Sequence, residues 1–303
     1  MAYDESNIRT LSSIEHIRQR PGMYIGRLGN GSHPEDGIYI LLKEVIDNSI
    51  DEFMEGNGSK IVVTLEGQKC SVRDYGRGIP LNKLIECVSV INTGAKYDNE
   101  AFQYSVGLNG VGTKAVNALS SYFEITSWRE GEYMHAVFER GVLKQKKKGK
   151  GDEPNGTFVS FIPDDDPAIF GKYTYNEEYI KERLWNYAYL NKGLTITFNG
   201  KTIRSPGGLM DLVKKILGDD GLYPLINYKS KSLEFSFTHT NGYGESYHSY
   251  VNGQYTSDGG THEAAFKEGV LKGINEFFHK SWAAPEIRDG IVATVAIKVM
   301  NPV

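Results

Sequence analysis

The sequence predicts an α/β protein built from two units, and three observations carry that reading. The chain has 303 residues, of which 40% are hydrophobic and 24% charged, enough for about two domains with cores of their own. Helical and strand periodicities alternate along it, with turn residues between them. After Ser205-Pro206-Gly207-Gly208 the alternation begins again. This places a boundary near residue 206 and defines expected domains at 1–205 and 206–303.

The elements follow in order. The first 36 residues are polar and Gly-punctuated, with a short helical pattern at 11–19. Residues 37–55 predict a long helix: Ile38, Leu42, Val45, Ile46, Ile50 and Phe53 share one face, while Glu44, Asp47, Asn48, Asp51 and Glu55 gather on the other. Residues 61–66 and 70–73 alternate as a hairpin. A helix at 82–91, a Gly-bearing loop at 93–112 and a helix at 113–122 come next. Strands are predicted at 123–128, 133–138, 142–147 and 157–162. The lysine-rich stretch 144–151 reads most simply as a solvated edge strand or turn. Residues 177–190 predict a helix, and strands at 194–198 and 202–204 flank an Asn199-Gly200 turn, a strong hairpin signal. The second unit is read as a short helix, strands at 233–238 and 246–251, a helix at 263–278 and a strand at 291–299.

Composition removes several function classes. A net charge of −4 argues against a nucleic-acid surface spread over the whole chain. Two cysteines, Cys70 and Cys87, are too few for a disulfide scaffold or a thiolate metal site, and they fit a reducing, cytoplasmic setting. No apolar run approaches the roughly 18 residues of a membrane span, and no signal-peptide pattern opens the chain. The seven histidines show no metal-ligand spacing, and no nucleophile elbow is present.

Four motifs carry chemistry. Glu44 and Asn48, spaced i, i+4, point the same way from one helix; the carboxylate suits a general base and the amide oxygen a hard cation such as Mg²⁺. Their bland alternative is a solvated polar face. Asp74-Tyr75-Gly76-Arg77-Gly78-Ile79-Pro80 ends a strand with an acceptor for an exocyclic amine and glycines that admit a flat ligand; alone it is also an ordinary turn. Gly107-Leu108-Asn109-Gly110-Val111-Gly112 feeds a helix N-terminus, where N–H groups favour phosphate. Its glycine order is the reverse of the dinucleotide fingerprint, and it lacks the P-loop ending. Gly156-Thr157 opens a strand with a hydroxyl.

In this order, the motifs resemble those of the GHKL (Bergerat-fold) ATPases. The stretches Arg20-Pro21-Gly22-Met23-Tyr24-Ile25-Gly26 and Asp258-Gly259-Gly260-Thr261-His262 narrow the resemblance to the B subunits of bacterial type II topoisomerases. MutL proteins, heat-shock chaperones and histidine kinases share the catalytic motifs without these two segments. The resemblance covers essentially the whole chain. It implies an α+β sandwich, with a mixed sheet under a helical layer, over 1–205. Over 206–303 it implies a transducer domain with a ribosomal-protein-S-five-like fold.

The resemblance also implies roles. Glu44 polarises the attacking water, and Asn48 holds Mg²⁺ on the triphosphate of ATP. Asp74 binds the adenine amino group, with a water shared with Thr157. Gly78, Ile79 and Pro80 line the adenine face, and Arg77 stacks at its edge. Lys96 and the run Leu108, Asn109, Gly110, Val111 and Gly112 form a lid over the phosphates. Arg129 stands at the pocket mouth, where ATP-site inhibitors stack. Tyr3 reaches the nucleotide of a second copy, so ATP favours a homodimer with exchanged N-terminal arms. Expected partners in the full enzyme are the A-type subunit and duplex DNA, with no membrane. Departures from the family pattern are Ile40, where a histidine often supports the base, Val106 for a lid glycine, and Tyr75 for a frequent Asp.

The competing readings are a nucleotide-gated clamp of the MutL or chaperone kind and a phosphate-binding oxidoreductase; the two topoisomerase segments and the glycine order disfavour them. Gyrase and topoisomerase IV are not separated, although the Val106-Gly107-Leu108-Asn109 lid leans towards the latter. In relatives the last strand leads into a Gln-Thr-Lys loop whose lysine meets the γ-phosphate. The chain stops at Val303, so a fragment that binds ATP-site ligands and hydrolyses poorly is expected.

Overall fold

The computed structural model describes residues 10–94 and 110–300. Tyr3, Lys96, Val106, Leu108 and Asn109 lie outside the described residues. The chain divides into two compact units, the second taking Arg183–Leu194 and the chain from Ile203 onward.

The first unit opens with α1 (Ser13–Gln19), started by a reciprocal capping box between Ser12 and Glu15. Next come α2 (Gly22–Ile25), the long α3 (Gly37–Met54), β1 (Lys60–Glu66) and β2 (Lys69–Asp74). A 3₁₀ turn at Leu81–Lys83 leads into α4 (Leu84–Ser89), followed by α5 (Gly112–Ala118). Four antiparallel strands follow: β3 (Ser120–Arg129), β4 (Glu132–Glu139), β5 (Val142–Lys150) and β6 (Gly156–Pro163). The helix α6 (Glu177–Leu190), whose residues from Arg183 onward belong to the second unit, precedes β7 (Thr195–Phe198) and β8 (Lys201–Ile203).

These eight strands form one sheet in the order β5-β4-β3-β6-β2-β1-β7-β8. The β1–β7 pair is parallel, which makes the sheet mixed. The turn between β7 and β8 places Asn199 and Gly200 at positive φ (45° and 80°), the conformation that an Asn-Gly hairpin requires. The core lies where α3 and α5 meet the sheet. Ile38, Ile46, Ile50, Leu119, Phe123 and Phe161 are fully or almost fully buried there.

The second unit contains α7 (Leu209–Leu217), β9 (Ile226–Lys229), β10 (Leu233–His239), β11 (Ser246–Val251), β12 (Gln254–Tyr255), α8 (Thr261–Phe278), α9 (Ala284–Arg288) and β13 (Ile291–Ile297). Its sheet runs β12-β11-β13-β10-β9, with β11 and β13 parallel. Strand alternation decides what each face packs. Ile291, Ala293 and Val295 of β13 cluster with Phe237 and with Phe266 of α8. Ala296 packs against the cluster of Leu209, Leu212, Tyr189 and Tyr250.

Three sequence expectations are corrected. The helix expected at 113–122 ends at Ala118, and Ser120 to Tyr122 join β3, where Ser120 pairs with Pro163. The helix expected at 82–91 is a 3₁₀ turn followed by a six-residue helix. The polar side of α3 is not uniformly solvated: Asp47 and Asp51 are 3% and 0% exposed. Lys43 pairs with the Asp47 carboxylate at 2.6 Å, whereas a wheel for an isolated helix assumes water on that side.

Candidate active site

Helix α3 organises the site because its side chains reach both the loop after β2 and the start of α5. Glu44 and Asn48 lie one turn apart on it. The Asn48 amide nitrogen donates to the Glu44 carbonyl at 2.7 Å and to the Thr113 hydroxyl at 3.0 Å. Those two bonds fix which way the carboxamide points and tie α3 to the first turn of α5. Gly112 opens α5 directly against the Glu44 carboxylate, where a Cβ would collide with Oε2. Glycine therefore lets the carboxylate keep this position, whereas a methyl group would push it aside.

One turn beyond Asn48, Glu52 grips the loop after β2. Its Oε2 accepts from the Arg77 backbone N–H at 2.9 Å and from Nε at 3.1 Å, and its Oε1 accepts from the guanidinium at 2.9 Å. This forked ion pair spends the Arg77 side chain on shaping the loop. Glu52 continues the i, i+4 series from Glu44 and Asn48, and that spacing is the sequence signal that points to it.

Asp74 ends β2 and is only 7% exposed. Its Oδ1 accepts from the Gly76 N–H at 2.9 Å and the Thr157 N–H at 3.2 Å. The Ser49 hydroxyl of α3 donates to Oδ2 at 3.5 Å. Burial pushes the Asp74 carboxyl up to about 6, further than the two backbone donors pull it down, and the Glu52 charge adds to the rise. A carboxylate kept at this cost, at a strand end beside a Gly-rich turn, marks a candidate binding group.

The loop then passes under β3. Gly78 has φ +76° and lies against the Trp128 carbonyl, where a Cβ would clash. Ser127 donates to the Ile79 carbonyl at 2.8 Å, fixing the segment that ends in Pro80. Arg129 reaches the Gly78 carbonyl at 3.5 Å and the Glu130 carboxylate at 3.5 Å. Arg73, which no sequence motif singles out, is sandwiched between the rings of Tyr75 and Trp128 at 4.6 and 4.4 Å from their centroids. Its guanidinium also donates to the Asp74 carbonyl and, at 2.6 Å, to the Pro154 carbonyl.

The structure therefore links Glu44, Asn48, Asp74, Arg77, Gly78, Ile79, Gly112, Arg129 and Thr157 through α3, the start of α5, the 74–80 loop, the end of β3 and the start of β6. Gly110 and Val111 lead into α5. Among the described residues, no three His, Cys, Asp or Glu side chains group as a metal site, and no helix is long and apolar enough to cross a membrane.

A mixed sheet under a helical layer, with a buried strand-end Asp beside a helix that carries Glu and Asn, is the layout that the resemblance to the GHKL ATPase class implies. Comparison with known proteins agrees. A family described as histidine kinase-, DNA gyrase B-, and HSP90-like ATPase matches residues 33–167, and the DNA gyrase B family matches residues 197–303. The B subunit of DNA topoisomerase 4 from Borreliella burgdorferi is 55% identical over 302 residues, 99% of this chain and 50% of that protein. The B subunit of DNA gyrase from Thermus thermophilus is 35% identical, over 100% of this chain and 52% of that protein. The crystal structure of the ATPase domain of Thermus thermophilus gyrase B, in complex with an aminocoumarin, superposes with a TM-score of 0.78 at 29% identity, covering 97% of this chain and 83% of that one. The ATPase region of Saccharomyces cerevisiae topoisomerase II shares the fold, with a TM-score of 0.78 at 20% identity over 99% of this chain and 88% of that one. The chain belongs to the GHKL ATPase regions of type II topoisomerase B subunits. It spans about half the length of the curated relatives it matches.

Proposed function

We propose that this chain is the ATP-binding and hydrolysing gate of a bacterial type II DNA topoisomerase, of the topoisomerase IV kind. In the full enzyme, ATP-dependent dimerisation would drive strand passage. The observation that carries the reading is Asp74: a buried carboxylate anchored by the Gly76 and Thr157 N–H groups, beside a loop that Glu52 clamps from the helix bearing Glu44 and Asn48. The 55% identity to the B subunit of a topoisomerase 4 supports the choice over gyrase.

In this reading residues 1–205 form the ATPase domain and 206–303 the transducer domain. Asp74 accepts from the adenine amino group, and the Thr157 hydroxyl shares its water. Gly78, Ile79 and Pro80 form the adenine floor, which the Glu52–Arg77 pair stiffens. Arg129 guards the mouth and meets ATP-site inhibitors. Lys96 and the run Leu108 to Gly112 close over the phosphates, and Tyr3 reaches the partner copy's nucleotide. Glu44 orients and deprotonates the attacking water.

The residues present fit Mg²⁺ as well. The ligating atom of Asn48 is its amide oxygen, turned by the two bonds from its nitrogen, and a single such oxygen suffices for a cation that keeps its waters and binds phosphate. When bound, Mg²⁺ would neutralise charge on the triphosphate. The A-type subunit and duplex DNA are partners in the full enzyme.

The test is steady-state ATP hydrolysis beside nucleotide binding for wild type and Glu44→Ala. Retained binding with turnover reduced about 10²–10⁴-fold is expected. Wild-type turnover in the variant refutes the assignment.

A further inference from the structure

The lysine-rich stretch is not absorbed by the nucleotide site. It forms β5 (Val142–Lys150), the outermost strand of the eight-stranded sheet. Lys144, Lys146, Lys147, Lys148 and Lys150 all lie on it, with no acidic residue among them, in a chain of net charge −4. Every residue of the strand except Gly149 is exposed. Register with β4 pairs Lys146 with Ala136, Lys148 with Met134 and Lys150 with Glu132. The three lysines therefore share one face of a regular strand, while Lys147, opposite His135, takes the other. The irregularity in pairing lies earlier, between Val137 and Phe138 of β4, and leaves this run in step.

Two exposed carboxylates flank the row, and Glu132 stands opposite Lys150. Lys148 meets Glu132 at 3.3 Å and Lys144 meets Glu139 at 3.4 Å, with all four side chains between 43% and 57% exposed. Exposed pairs of this kind contribute little and exchange readily for other anions. Lysine on an edge strand also discourages pairing with another chain, but one or two suffice for that. A continuous row does something a single lysine cannot. Side chains at i and i+2 stand about 6.8 Å apart on an antiparallel strand. Each phosphate along one strand of duplex DNA advances about 3.4 Å along the axis while the strand also turns about that axis, so successive phosphates stand about 7 Å apart through space and the row matches their spacing.

We propose that the β5 edge is a contact for the phosphate backbone of duplex DNA, positioning a segment against the outside of the ATPase sheet without reading its bases. The occupant rests on the topoisomerase reading above. The contact itself rests on the spacing and charge of Lys146, Lys148 and Lys150. The strand supplies an electrostatic rail: each lysine that replaces a condensed counterion adds to affinity and to its salt dependence.

The experiment measures fluorescence anisotropy of a labelled 30-base-pair duplex, of arbitrary sequence, against the full chain at several salt concentrations, with binding of a non-hydrolysable ATP analogue measured on the same samples. Three phosphate contacts give a slope of about −2.7 in log affinity against log salt, or about a 40-fold loss between roughly 50 and 200 mM salt. The triple variant Lys146→Gln, Lys148→Gln, Lys150→Gln is expected to lose that slope and at least about tenfold in affinity at the lowest salt. The corresponding triple arginine variant is expected to keep both. Unchanged DNA affinity in the glutamine variant overturns the proposal, as does a variant that only self-associates, which would make the lysines edge protection. Tighter binding of poly-glutamate than of duplex, lost in the same variant, would make the face a protein contact and equally overturns it. If the wild type fails to bind the ATP analogue, the ATPase reading fails, whatever β5 does. If the analogue binds and the lysines leave DNA affinity untouched, only the β5 proposal fails.

Discussion

Replacing Asp74 with Asn tests the pocket because the substitution has two expected effects of opposite sign. In the folded chain the carboxyl titrates near 6, against an ordinary 3.8, because it is buried. The raised value means that the fold is favoured when Asp74 is protonated. That stability is fully present below about 3.8 and is lost as pH rises through about 6. At neutral pH the penalty corresponds to about 3 kcal/mol. Asn keeps Oδ1 for the Gly76 and Thr157 N–H groups and carries no charge. Its amide nitrogen faces the Ser49 hydroxyl, which can turn to accept. The ligand-free variant should therefore melt several degrees higher than wild type at about pH 7.5, and most of the difference should be gone by about pH 4. Adenine binding should respond the other way. The new amide donor faces the adenine amino donor, which should weaken binding by about 1–3 kcal/mol, or roughly 5- to 150-fold. Calorimetry with an adenine nucleotide and melting curves across pH measure both. A variant that is less stable when ligand-free and binds nucleotide normally would refute the reasoning.

Three further predictions concern neighbours of this residue and the core. Gly112→Ala pushes a methyl group into the Glu44 carboxylate; turnover should fall by at least about tenfold, with a smaller loss of nucleotide affinity because Gly112 also belongs to the run over the phosphates, as separate binding and rate measurements will show. Glu52→Ala removes three hydrogen bonds to Arg77; it should weaken adenine-nucleotide binding by about 1–3 kcal/mol, while Glu52→Gln recovers part of the loss in the same titration. Asp164 is buried between Arg18 at 2.8 Å and Arg140 at 3.0 Å. Burial raises its carboxyl, but the two arginines outweigh that and hold it below the usual range. Asp164→Ala should destabilise the fold by about 3 kcal/mol in denaturant titration. In wild type this contribution is present above the unfolded carboxyl value and is lost as pH falls through the folded one, opposite in sign to Asp74.

Most of the architecture was legible in the sequence where a pattern was local. The 37–55 periodicity matches α3 within a residue, and Asn199-Gly200 turns as its chemistry demands. What escaped depended on neighbours distant in the chain. Ser120 to Tyr122 read as helix because they continue α5, yet the partner strand around Ile162 and Pro163 claims them. Short elements such as α9 and β12 carry too few residues for a period to register. At the site, Glu44, Asn48 and Asp74 were legible as motif members. Glu52 is signalled only by its i, i+4 spacing from Asn48, and Ser49 and Arg73 by nothing in the sequence, because their work is to orient other groups and the fold alone brings Ser49 to Asp74 and Arg73 between Tyr75 and Trp128.

In the proposed function, ATP binds with its adenine on Asp74 and its phosphates towards Glu44 and Asn48. A crystal structure of the chain with Mg²⁺ and a non-hydrolysable ATP analogue tests this most directly. The expected result places the adenine amino group within hydrogen-bonding distance of an Asp74 carboxylate oxygen and the cation on the Asn48 amide oxygen. Nucleotide bound elsewhere, with Asp74 still bonded only to Gly76, Thr157 and Ser49, would contradict it.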